Sequence, residues 1–428
     1  MKRWGILGIG VVVTLVGLVH LAGVEARKAG DEEVYKELEL FTDALAIVQS
    51  DYVEEPKAKD LIYGAMKGML ATLDPYSQFL DPDSYNELRV ETEGQFGGLG
   101  IEITIRDELL TVISPIDDTP AARAGFKSGD RIVKIDGELT RGITLLDAVK
   151  KLRGKPGTEV VLTLLREGEN QLLDVPVKRE TITIKSIREA RIIEDGIGYV
   201  KLSDFREQTP KDLTQALQQL QGQHMDGLIL DLRNNPGGLL DVSVSVSELF
   251  LDRAQLVVTT KGRLKHQNME FRSKSDGAVN RLPLVVLINE GSASASEIVA
   301  GAIQDHRRGV VMGMKSHGKA SVQTIFPLKD GSALRLTTSK YFTPAGRSIH
   351  GQGIVPDVVV PLVELKREEG EDGKKAPEPA QQIFERIESK DKGEEPHDKG
   401  PALDNQLVRA VDLLKGIKVL NSNGSVIR

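Results

Sequence analysis

The chain contains no cysteine. That excludes disulfides, thiolate nucleophiles, cysteine-ligated zinc and lipid attachment through a thiol. One tryptophan and an aromatic content of 4% leave too few rings for a base-stacking surface. An excess of positive charge is also missing. Lys and Arg number 56 against 63 Asp and Glu, a net charge of −7. A nucleic-acid partner, which needs cations to displace counterions from phosphates, is not expected. The seven histidines are scattered, without the His-Glu-x-x-His spacing that holds zinc on a helix, so no metal site is expected. What is present is apolar residues. They form 40% of 428 positions, enough to fill sizeable cores in about three units of ~150 residues.

The amino terminus reads as an address. Lys2 and Arg3 precede an apolar run from Trp4 to Val24, and Val24-Glu25-Ala26 has signal-peptidase spacing. The run is also long enough to cross a bilayer as an uncleaved anchor. Either reading of residues 1–26 puts the rest of the chain outside the cytoplasm. Val34, Leu38, Phe41, Leu45 and Val48, then Leu61, Ala65, Met66, Met69 and Leu73, recur at helical spacing within a region 31–90. Residues 91–180 alternate apolar and polar around Gly and Asp turns, with one helical stretch at Leu145–Leu152, and read as a small β-rich domain. Residues 181–365 alternate strand and helix. The continuous apolar runs Gly227–Leu232 and Leu284–Ile288 suit strands covered on both faces of an α/β layer. More than half of residues 366–400 are charged, which reads as a disordered linker before a last helix in 401–428.

Four segments carry chemistry. In Glu290–Glu297 a buried strand ends and a helix begins, a junction that suits a serine nucleophile and offers the helix's first N–H groups to an oxyanion. Spacing does not choose among Ser292, Ser294 and Ser296. Candidate bases are His306, His317 and Lys319. A lysine serves only when neutral, so burial would have to lower its pKa by roughly three units from ~10.4. Gln323 reaches Lys319 directly only if the segment between them turns. Arg233-Asn234-Asn235-Pro236-Gly237-Gly238 exposes backbone N–H groups; Gly237 or Gly238, with Ala295, could form an oxyanion hole. Gly98-Leu99-Gly100-Ile101 leads into a strand as a nest of N–H groups for a carboxylate, beside an edge able to pair with an extended peptide.

The Gly98–Ile103 loop, with Ala124-Gly125 and Gly129–Gly137, resembles a PDZ domain. Leu232–Gly238, Gly291–Glu297 and Gly318–Gln323, following it in that order, resemble the carboxy-terminal processing (tail-specific) proteases of peptidase family S41. The resemblance spans roughly residues 35–365 and the terminal helix. It implies an α/β fold: a ClpP/crotonase-like serine protease core with an inserted β-rich PDZ domain and helical N- and C-terminal segments. It implies Ser294 as nucleophile, Lys319 as general base, Gln323 as the orienter of the lysine, and oxyanion donors at Ala295 and at Gly237 or Gly238. Gly98, Leu99, Gly100 and Ile101 become the peptide-binding loop. Asp305 matches a structural acidic position, and Arg153 a PDZ arginine placed to contact the protease core. One departure is Ala320, where the family usually has glycine. The implied activity needs no cofactor. Implied partners are protein substrates with exposed C-termini, an adaptor or activator protein, and further copies of the chain through the terminal helices. The implied location is extracytoplasmic: a bacterial periplasm, soluble or anchored in the inner membrane. The alternative is a catalytically silent PDZ-containing binding or adaptor protein. A chymotrypsin-like protease is excluded, because no His, Asp and Gly-x-Ser-Gly set precedes the PDZ-like segment.

Overall fold

The computed structural model describes residues 34–106, 109–166, 169, 171–279, 281–363 and 404–422. Residues 1–26, read as a signal or anchor, and the charged segment 366–400 lie outside the described residues.

The chain divides into two compact units. The first comprises residues up to Pro82 together with 325–336. It contains a helix at 34–51, the helix Ala58–Ala71 and the short strand Gln78–Leu80, which pairs antiparallel with Ala333–Arg335. Tyr63 ties this unit together, stacking edge-on to Phe79 and donating to Asp330 at 2.7 Å. Val34, Leu38, Phe41 and Val48, predicted as one helix face, are all exposed.

The second unit holds two cores. In the smaller, strands run in the order Ile101–Arg106, Leu109–Pro115, Arg131–Ile135, Glu159–Leu165, Leu173–Lys178. They enclose Leu110, Val112, Ile132, Val160, Leu162 and Leu164. The helix Leu145–Leu152 forms where its apolar spacing predicts, with Thr144 capping the N–H of Asp147 at 3.1 Å. Gln95–Gly98 pairs antiparallel with Glu180–Thr183, so the chain enters and leaves this domain through one two-stranded stem.

The larger core is a six-stranded sheet whose spatial order equals its chain order. The strands are Ile187–Glu194, Ile197–Leu202, Gly227–Asp231, Leu284–Ile288, Val310–Gly313 and Val358–Val359. Only the first is antiparallel to its neighbour. On one face lie the helices Thr209–Gly222, Leu240–Glu248 and Ala295–Asp305. On the other, Ala410, Val411 and Leu414 of the helix Asn405–Ser422 pack on Tyr199, Ile229, Val285 and Leu287. Both faces are covered, which is why Gly227–Asp231 and Leu284–Ile288 are buried at every position. The carboxyl-terminal helix therefore spends its predicted apolar face inside the chain. Of the two terminal faces suggested for self-association, only that of the helix at 34–51 stays exposed.

The sequence left open whether Lys319 and Gln323 share a turn. A helical turn carrying Lys319 and Gln323 does not form. Gln323 lies instead on the strand Ser321–Pro327, which begins two residues after Lys319 and pairs with Ala333–Phe342.

Candidate active site

Parallel strands present their carboxyl ends along one edge of a sheet, and two of them lead into the predicted motifs. Leu284–Ile288 runs into Asn289–Ala293 and then Ser294, the residue that caps the helix Ala295–Asp305. Ser294 has φ 55° and ψ −112°, a strained backbone for a residue with a side chain. Such strain at a strand-to-helix turn pushes a side chain out of the regular path. Among the three candidate serines, only Ser294 has it. Ser292 and Ser296 are fully buried and committed: Ser292 Oγ donates to Leu232 O at 2.7 Å and Ser296 Oγ to Asn235 O at 2.9 Å.

Glu297, one turn into the helix, has no exposed surface. One carboxylate oxygen accepts from the N–H of Ser294 at 2.8 Å and from that of Lys319 at 2.9 Å. The other accepts from Gly318 N–H at 2.6 Å and Ser316 Oγ at 2.5 Å. Two segments 25 residues apart in sequence are thus fastened to one side chain. Tyr341 makes the complementary clamp. Its hydroxyl lies 3.1 Å from Ser294 O and 2.6 Å from Lys319 O. Burial, then the nearby Glu297 carboxylate, raises the Tyr341 pKa well above the usual phenol value, so it stays a neutral donor.

The base candidates now separate. His306 caps the far end of the helix, roughly 18 Å along its axis from Ser294, and its Nε2 contacts Leu256 O at 2.7 Å. His317 lies nearer: its N–H donates to Ser292 O at 3.0 Å, and its side chain is exposed. Lys319 is half-buried and shares both clamps with Ser294. Gln323 lies on the following strand, its amide 2.9 Å from Ser321 Oγ and 3.4 Å from Thr337 Oγ1. Ala320 is fully buried in the main core, and its φ is not positive. An extra methyl group is tolerated because it fills core and strains nothing.

The second strand, Gly227–Asp231, leads into the glycine turn. Asn235 pins this turn to the Ser294 turn: its carbonyl accepts from Ala293 N–H at 3.0 Å as well as from Ser296 Oγ. Asn234 and Asn289 add a reciprocal pair, Asn234 N–H to Asn289 Oδ1 at 2.8 Å and Asn289 Nδ2 to Asn234 Oδ1 at 2.9 Å. Gly237 has φ +100°, and a Cβ there would lie 2.6 Å from Ala293 O and 2.8 Å from both Ala295 N and Ser294 Cβ. Only glycine lets the two turns approach this closely. Its N–H is committed to Asn235 Oδ1 at 2.9 Å. The N–H groups of Gly238 and Ala295 donate to no acceptor among the described residues.

Asp305 is nine-tenths buried at the helix end. It accepts from Ala345 N–H at 2.8 Å and pairs with Arg347. Arg153 stacks 4.7 Å over the ring of Phe96 on the stem. In the small domain Gly98 and Leu99 are buried and Ile101 starts a strand at the sheet edge. Gly100 has φ +75°, and a Cβ would sit 2.3 Å from Thr119, whose hydroxyl donates to Gly100 O at 3.1 Å. The helix Leu145–Leu152 packs beside that edge strand.

Glu297 and Tyr341 are absent from the sequence-derived site. Glu297 carries a readable signal, the Ser-x-x-Glu spacing of a capping box. Tyr341 carries none, because its role depends on strand pairing far along the chain.

Comparison with known proteins adds the following. Residues 196–360 match peptidase family S41, residues 97–177 match the PDZ domain, and residues 17–84 match the activating protease CtpB N-terminal domain. A carboxy-terminal-processing protease of Bartonella bacilliformis is 47% identical over 334 residues, covering 77% of this chain and 76% of that one. A carboxyl-terminal-processing protease of Synechocystis sp. is 38% identical over 328 residues, covering 74% and 76%. A solved structure, the photosystem II D1 C-terminal processing protease, is 32% identical over 74% of this chain and 86% of that one, with TM-score 0.45. The inserted PDZ domain, the α/β core and the identity to these relatives lead to one conclusion: the chain belongs to the carboxy-terminal-processing proteases, serine hydrolases of peptidase family S41.

Proposed function

We propose that the protein is a serine endopeptidase in which Ser294 attacks the substrate carbonyl and Lys319 is the general base. The observation that carries this is the shared carboxylate oxygen of Glu297, which holds the backbone N–H groups of both residues at 2.8 and 2.9 Å. A neutral Lys319 amine takes the Ser294 proton and returns it to the leaving amine. Water then hydrolyses the acyl-enzyme by the same route. The oxyanion is held by the N–H groups of Ala295 and Gly238, the choice of Gly238 over Gly237 resting on the commitment of Gly237 to Asn235. Gln323, on the strand that begins two residues after Lys319, is the proposed orienter of the lysine, its own amide fixed by Ser321 Oγ and Thr337 Oγ1.

The working division is a PDZ domain over 91–180 and a protease core over 181–365, with 31–90 and 401–428 as helical flanks. The PDZ domain receives the substrate's free carboxyl terminus at Gly98–Ile101 and pairs its last residues with the edge strand Ile101–Arg106. Support comes from the glycine loop, that unpaired edge and the neighbouring helix. Substrates are extracytoplasmic proteins with exposed C-termini, reached because residues 1–26 direct export or anchor the chain. No described helix is long and apolar enough to cross a membrane. An adaptor or activator protein is a further partner. The exposed helix at 34–51 is the surface for self-association.

The test uses one loosely folded substrate with a free apolar carboxyl terminus and the same substrate amidated. Wild type is expected to cleave the free form faster by about tenfold or more, the size of one lost charge-assisted anchor. Equal rates on the two forms would remove the terminus-recognition reading while leaving the dyad intact. No cleavage of either would favour the silent binding protein.

A further inference from the structure

We propose that Asp404, at the start of the carboxyl-terminal helix, is a positioning residue for the oxyanion turn and acts through Arg233. The inference deepens the Ser294–Lys319 reading and rests on it.

Arg233 stands one residue before Asn234, at the root of the glycine turn. Its guanidinium lies between two carboxylates. Asp231, fully buried on the central strand, accepts from Arg233 N–H and Nε at 2.9 Å and from Nη2 at 2.6 Å. The second Asp231 oxygen also accepts from Tyr199 OH at 2.8 Å. From the other side, Asp404 accepts from Arg233 Nη1 at 3.0 Å and Nη2 at 2.7 Å, and Gln406 Oε1 from Nη1 at 2.9 Å. Asp404 is fixed in turn, because its Oδ1 caps the helix by accepting from Leu407 N–H at 3.0 Å. The guanidinium side chain is 10% exposed.

Docking the helix does not require this cluster. Ala410, Val411 and Leu414 already bury an apolar face against the sheet. Desolvating an arginine between two carboxylates is a poor source of net stability; its attested use is to specify geometry. The geometry specified here is that of the turn. Arg233 has its side chain held in two planar, two-point contacts, which fixes where the chain leaves the strand. From there the placement passes to Asn234 and Asn235, which are bonded to the nucleophile turn through Asn289, Ala293 and Ser296. A helix that follows Ser294 by more than a hundred residues thereby bears on the oxyanion donors.

Removing Asp404 leaves Arg233 still paired with Asp231, so Asp404→Asn is expected to fold. In the full chain, on a peptide with a free apolar carboxyl terminus, Asp404→Asn should lose about tenfold in kcat with KM within about twofold. Asp404→Glu should recover most of that loss. Leu414→Ala, which loosens the same helix through its apolar face, should lower Tm more than Asp404→Asn yet keep kcat where the protein is folded. An unchanged kcat in Asp404→Asn overturns the inference. So does a loss of kcat that follows Tm in both helix variants. Ser294→Ala is the reference. If it still cleaves, the site reading fails and this inference with it. If it is dead while Asp404→Asn is unaffected, this inference alone fails.

Discussion

A carboxylate without solvent exposure is costly unless its oxygens are occupied, and Glu297 receives four donors. Three of them are backbone N–H groups of residues 294, 318 and 319, so this side chain sets the distance between the Ser294 and Lys319 segments. Glu297→Gln would turn one acceptor into a donor facing those donors. It is expected to cost about 2–4 kcal/mol of stability and to lower cleavage by about a hundredfold, since small misplacements in a site are expensive. Thermal unfolding and steady-state kinetics on one preparation check both numbers. Much of the candidate site was legible at this scale. The strained Ser294 lies within Gly291–Glu297, and Lys319 and Gly238 lie in quoted motifs. What the residue pattern does not encode is hydrogen-bond commitment. Gly237 and Gly238 are equivalent as letters, yet Asn235 Oδ1 takes the Gly237 N–H and leaves that of Gly238 without an acceptor among the described residues.

Among the elements, the PDZ sheet depends on a buried pair. Asp130 is 1% exposed and accepts from Arg166 Nε at 2.7 Å and Nη2 at 2.8 Å. Burial pushes the Asp130 pKa up, but the bonds from Arg166 and from Lys127 N–H outweigh it and hold the carboxyl below its usual value. A depressed folded pKa gives stability that is present above the unfolded value of ~3.9 and is lost as pH falls through the folded one. The wild-type PDZ transition should therefore hold from pH 7 to about pH 4 and fall below that. Asp130→Asn should be less stable at pH 7, by about 3–5 kcal/mol, and show less of the acid loss. Melting followed by domain-resolved hydrogen exchange against pH checks this. The elements themselves were readable where burial dictates pattern: Leu284–Ile288 and Leu145–Leu152 form at the expected bounds. The strand Gln78–Leu80 and the helix Pro82–Glu93 were not foreseen. The first is only three residues long, and the second buries no side chain, so neither leaves an apolar period. Whether the chain turns or runs straight after Lys319 was left open by the sequence, because the strand from Ser321 follows from pairing with Ala333–Phe342.

For the molecule as a whole, the claim is that one α/β core, with a PDZ domain inserted through a single stem, cleaves peptide bonds with a serine and a lysine. The negative charge and scattered histidines argue against nucleic-acid and zinc chemistry. They could not bring Ser294 and Lys319 together, which depends on Glu297 and Tyr341 joining distant segments. The direct measurement compares wild type, Ser294→Ala, Lys319→Ala and His317→Ala on a loosely folded protein with a free apolar carboxyl terminus. Folding of each is confirmed by circular dichroism. The account predicts cleavage by wild type and by His317→Ala, and a loss of about a thousandfold or more in both Ser294→Ala and Lys319→Ala. Retained activity in Lys319→Ala, with loss in His317→Ala, would contradict it and move the base to the histidine.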